Sequence, residues 1–156
     1  MATFARSVYI LLLAFWVGGI SLFTFVVTPQ IFSAYGRDAA GEIVGRLFPN
    51  YFLFTLALSV LVLLILPFCR TFFSQSSFRW SLALVSVAVA INVFVFFKLH
   101  PEMRQVKQEV RSFQSLEDSS PARKTFRRLH AASMTLNLVL LADGAALLLI
   151  SSAVRR

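Results

Sequence analysis

SVYILLLAFWVGGISLFTFVVTPQIFSAYG, Ser7 to Gly36, contains no charged side chain. A hydrocarbon core of about 30 Å is crossed by roughly 20 apolar residues in a helix, and the apolar centre here, Val8 to Phe32, is long enough. Lipid offers the backbone no hydrogen bonds, so a stretch of this kind reads as a helix that satisfies its own amides. Three more follow, which places spans at about 8–32, 47–69, 80–100 and 129–154, the last interrupted only by Asp143. Short alternating segments of the kind a membrane barrel needs are absent. The expected fold class is therefore all-α: an integral membrane four-helix bundle, one transmembrane domain over 1–156, with a protruding basic helical hairpin between helices three and four.

Composition agrees. Hydrophobic residues make up 58% of the chain and charged ones 14%, mean hydropathy is +0.76, and 17 Phe stand against seven acidic residues. Those proportions leave too little polar surface for a water-soluble domain. The single Cys, Cys69, excludes an internal disulfide framework and a Cys-based zinc finger. Arg6 ahead of a long apolar run has the look of a secretory signal, but the run is about twice a usual h-region and lacks a small-residue cleavage site, so it reads as a retained helix.

The one long connection, Lys98 to Arg128, holds Lys98, Arg104, Lys107, Arg111, Arg123, Lys124, Arg127 and Arg128, eight of the fifteen basic residues. Met103, Val106, Val110 and Phe113 recur at helical spacing, as an amphipathic continuation of helix three requires. Ser115 to Ser120 reads as a turn, with Ser120 as N-cap and Pro121 in the first helical position of helix four. In the first connection, Glu42 and Arg46 are spaced i, i+4 in a short interfacial helix, and Pro49 is expected to break the chain before helix two. Thr28, Pro29 and Gln30 suggest a kink or a helix end.

With four spans, Arg6, Arg70, Arg79, Arg155 and Arg156 share one side and the other ten basic residues lie opposite. Counting Lys and Arg places the 98–128 hairpin in the cytoplasm and both termini outside. We expect an integral protein of a bacterial inner membrane. The net charge of +8 does not point to nucleic acid, because no groove-reading motif or aromatic platform accompanies it. Arg123, Lys124, Arg127 and Arg128 read instead as contacts to anionic lipid headgroups, each worth about 1 kcal/mol.

Polar groups inside a span are functional candidates because they are costly to insert. Asp143 is the clearest. Its structural reading is a carboxyl hydrogen-bonded to Asn92, Asn137 or a Ser on another helix; its functional reading is a proton or cation site. Asn92 and Asn137 themselves read as interhelical glue, and Gly18 with Gly19, one turn after Ala14, as a place of close helix approach. The two histidines, His100 leaving helix three and His130 at the start of helix four, each have a methionine on their own face, Met103 and Met134. Imidazole with thioether suits a copper ion, and two histidines on facing helices suit haem iron. No zincin, phosphate-binding loop, nucleophile elbow or dinucleotide motif is present, so no enzymatic activity is expected.

Several of these residues fall in blocks that resemble the transmembrane protein 205-like family. The blocks are Trp16-Val17-Gly18-Gly19, Phe25 through Pro29, Gly45 through Phe52 with its Leu-Phe-Pro-x-Tyr-Phe core (Phe48, Pro49, Tyr51), Lys98-Leu99-His100-Pro101, and Phe126 through Asn137. Ala131 stands where that family's pattern has Gly. The resemblance implies a four-helix membrane protein without an assigned reaction. A fainter similarity to copper-resistance D-type and haem-biosynthesis membrane proteins keeps copper and haem as implied ligands. The expectation is a small non-enzymatic membrane protein, metal-handling or transport-related, acting in a homo-oligomer or a membrane complex. The alternatives are a haem-binding redox protein or oxidoreductase subunit, and a scaffold or accessory subunit.

Overall fold

The computed structural model describes residues 2–109 and 120–152, without the side chain of residue 2. All of its regular structure is helical. The first rod is α1 (Ala2–Leu22), a π turn (Phe23–Val27) and α2 (Thr28–Ala34). The second is α3 (Arg37–Ile65) running into a 3-10 segment (Leu66–Phe72). The third is α4 (Gln75–Phe94), a π turn (Val95–Leu99) and α5 (His100–Glu109), and the fourth is α6 (Pro121–Ser152). Each of the four rods carries a stretch long and apolar enough to cross a membrane.

The rods form a four-cornered bundle. α1 packs against α3 and α6, and α4 packs against the same two, so α1 faces α4 across the bundle and α3 faces α6. On α1, Tyr9, Leu13, Trp16 and Ile20 are fully buried, a 4-3-4 spacing that marks one face of a helix. Leu11, Phe15, Leu22 and Phe25 on the other faces are exposed, as residues that meet lipid should be. Helices hydrophobic all round thus still have an inside, which a hydropathy profile does not reveal.

Both π turns precede a proline. Thr28 donates its backbone N–H to Phe23 O and His100 to Val95 O, and Pro29 and Pro101 follow. A proline ring clashes with the carbonyl four residues back and removes one amide donor, and widening the preceding turn accommodates both. The helix therefore continues past Thr28 to Ala34 and does not end there. Pro49 corrects a second expectation. It lies inside α3, which continues through it, and Ala40 and Val44 before it and Tyr51 and Phe52 after it are all buried and anchor both halves in the core. The short interfacial helix of the first connection is accordingly the first turns of α3, and its Glu42–Arg46 ion pair forms at 2.6 Å.

α5 follows the second π turn directly and packs along α6, with Met103 buried. Ser120 caps α6: its Oγ accepts from Arg123 N–H at 3.3 Å, and Pro121 opens the helix. Val110, Arg111, Phe113, Ser115 and most of the turn lie outside the described residues, as do Arg155 and Arg156.

Candidate functional site

Two polar stations lie in the bundle interior. At the first, Asn137 on α6 joins three rods: its Oδ1 accepts from the Tyr51 hydroxyl on α3, and its Nδ2 donates to Thr24 Oγ1 at 2.9 Å. Thr24 belongs to the first π turn, and Phe23 beside it stacks on the Tyr51 ring at 4.2 Å between centroids. Asn92 on α4 makes a simpler link, donating to Ser59 Oγ on α3 at 3.2 Å. Asn92 and Asn137 therefore join helices, and neither bonds Asp143.

The second station surrounds Asp143. It is 9% exposed, and its Oδ2 is buried with no hydrogen-bond partner among the described residues, as are Tyr9 OH, Trp16 Nε1 and Ser81 Oγ. These atoms come from α6, α1 and α4. The Tyr9 phenol stands beside the hydroxyls of Ser81 and Ser151 and within the field of the Asp143 carboxyl. Ser151 turns its own proton to Leu147 O at 2.6 Å. Trp16 reaches the α6 backbone next to Asp143: a Cβ on Gly144 would lie 3.7 Å from its Nε1 and 2.9 Å from Val17 Cγ2. Gly144 thus lets α1 approach α6 closely at this point. Gly19 makes the other tight approach, to the Phe54 ring, whereas Gly18 has open space around it.

The buried Asp143 carboxylate oxygen thus has no donor, in a region that also holds unpartnered hydroxyls and an indole N–H. Unpartnered buried polar groups cost about 1–3 kcal/mol each, and most folded proteins keep few. Such a cluster can bind a proton or a small polar guest.

The histidines have other surroundings. The His100 ring meets Phe52 edge-on at 5.3 Å and Phe48 at 6.3 Å, in an aromatic wall of α3. His130 lies flat against Phe126 on its own helix at 5.8 Å. Met103 is buried, whereas Met134 is 55% exposed on the outer face of α6. Among the described residues no group of three or more His, Cys, Asp or Glu is placed to hold a metal ion. Lys124, Arg127 and Arg128 are exposed and Arg123 is half-buried, near the start of α6.

Beyond Leu99, Lys107 of α5 donates from Nζ to Gly41 O of α3 at 2.7 Å and rests over Gly45. Burial pulls this ammonium below its ordinary pKa, against the opposing pull of Glu42 and Asp38.

The sequence singles out Asp143, Asn137, Trp16 and Tyr51, but not Tyr9, Thr24, Ser59, Ser81, Ser151 or Gly144. Tyr9 and Trp16, seven residues apart in an apolar helix, were the available signal, since both carry a polar tip. The serines gave none.

Fold and polar interior together define a four-helix membrane protein. Residues 11–112, more than half of the chain, match the family described as a domain of unknown function, DUF4149, and the chain belongs to that family. The match names neither the transmembrane protein 205-like family nor copper-resistance D proteins. No curated protein and no solved structure matches the chain.

Proposed function

We propose that this chain is a non-enzymatic membrane protein that passes protons across the bilayer, with Asp143 as the group that takes up and releases them. The observation that carries the reading is the unpartnered Asp143 Oδ2 in the bundle interior, beside unpartnered polar atoms of Tyr9, Trp16 and Ser81. An Asp at the centre of a span costs about 2.5–3.5 kcal/mol to insert, a cost that a packing role without a partner does not offset. A chain of this size has little room for an alternating-access pathway, so proton passage fits it better than carriage of a larger solute, and a multi-copy assembly is part of the reading. The charge distribution supports the orientation with termini outside and the 98–128 segment in the cytoplasm.

Copper or haem at His100 and His130 draws less support. Each ring is engaged with phenyl groups, and Met134 points outward.

The test is a proteoliposome loaded with a pH-sensitive dye. Wild-type protein should carry protons down an imposed pH gradient, and Asp143→Asn should not. Equal fluxes in both would sink the reading, and a flux that requires sodium would replace the proton by a cation.

A further inference from the structure

Arg6 stands at the head of a groove on the outer surface between α1 and α6. The groove is about 340 Å³ and is lined by Arg6, Ile10, Leu148, Leu149, Ser151 and Ser152. Its walls are mostly aliphatic, and Leu149 is 70% exposed. The two serines keep their protons for the helix, Ser151 donating to Leu147 O and Ser152 to Leu149 O. Arg6 is therefore the groove's strong donor. Its guanidinium lies over the Phe72 ring, 5.2 Å from the centroid, a cation–π contact that uses none of its N–H donors. Among the described residues no carboxylate pairs with it.

We propose that this groove seats one anionic glycerophospholipid, its phosphate against Arg6 and an acyl chain between Ile10 and Leu149. Charge complementarity and position select the occupant. An unneutralised guanidinium at the end of an apolar helix sits at headgroup depth, and its fork matches two phosphate oxygens. The aliphatic walls below it, turned outward from the bundle, match a hydrocarbon chain. A zwitterionic lipid fits the walls equally well but brings a choline or ethanolamine cation near Arg6. The groove shares Ser151 with the Asp143 station but none of Asp143, Tyr9, Trp16 or Ser81, so lipid binding is read out apart from proton passage.

The full chain purified in mild detergent can be titrated with phosphatidylglycerol, with phosphatidylcholine of the same acyl chains, and with inorganic phosphate. Thermal melting and native mass spectrometry read out binding. Phosphatidylglycerol should raise Tm above the phosphatidylcholine value and persist as a one-to-one adduct, since a ligand of the native state alone stabilises it. Arg6→Gln should erase the difference between the lipids while Arg6→Lys keeps part of it. Leu149→Trp, which fills the groove at an exposed position, should lose the adduct with Arg6 intact, and it stands as the test if Arg6→Gln fails to fold. Equal effects of the two lipids, stabilisation by inorganic phosphate alone, or an adduct that survives Leu149→Trp would overturn the proposal.

Discussion

Tyr51 on α3 donates its hydroxyl to Asn137 on α6, a helix at the opposite corner of the bundle. The bond crosses the interior, and the second arm of Asn137 reaches Thr24 on the first rod. Asn137→Leu should leave both hydroxyls without a partner and lower stability by about 1–3 kcal/mol for each stranded group. Tyr51→Phe should cost less alone, and in the Asn137→Leu background, where it removes a stranded hydroxyl, it should recover part of the lost stability. A double-mutant cycle of thermal melts in detergent checks this coupling.

Tyr9→Phe should act in the opposite direction. The Tyr9 hydroxyl is buried without a partner, so its removal relieves a desolvation cost and should stabilise the protein by about 1 kcal/mol. If the station at Asp143 passes protons, the same variant should lose flux. A higher Tm together with a slower dye response is the expected pair of outcomes, and a lower Tm would show that the phenol is held by a bond.

The glycines divide by what surrounds them. Gly144→Ala drives a methyl to 2.9 Å from Val17 Cγ2, a branched side chain with little freedom, and should cost about 1–3 kcal/mol as an overpacked helix contact. Gly18→Ala meets nothing within 4 Å and should leave Tm unchanged or slightly higher. Melting curves of the two variants settle the contrast.

Docking of α5 on α3 should depend on Lys107. Lys107→Met keeps the aliphatic stem but removes the bond to Gly41 O, and amide exchange over 100–109 should quicken. The pH dependence has a defined sign. The folded-state pKa lies below the ordinary 10.5, so the undocked lysine binds more protons in the window between them. Docking should strengthen as pH rises through that window toward 10.5, and Lys107→Met should flatten the dependence.

The absorption spectrum should lack a Soret band, and copper content should be unchanged in His100→Ala. Both are the outcomes expected if His100 serves as part of the aromatic wall of Phe48 and Phe52, which it meets edge-on. Stoichiometric copper or haem lost on that substitution would restore the histidine reading.

The sequence by itself determined the class of the protein. Uncharged runs of membrane length leave helices as the only way to satisfy the backbone in lipid, and this follows from composition without any contact. It also determined the cap at Ser120 and the Glu42–Arg46 pair, because both act over three or four residues along one helix. Asp143 announced itself as a lone charge in a long apolar run. Only the tertiary structure decided what Asp143 faces. The expected bonds to Asn92 and Asn137 go elsewhere, since those amides pair with hydroxyls of Ser59, Tyr51 and Thr24. In helices apolar on every side, periodicity gives no rotation about the axis, so which serine, tyrosine or glycine turns inward is fixed only when the four rods pack. The unbroken passage through Pro49 has the same origin: local stereochemistry disfavours it, and residues on both sides of the proline are held in the core.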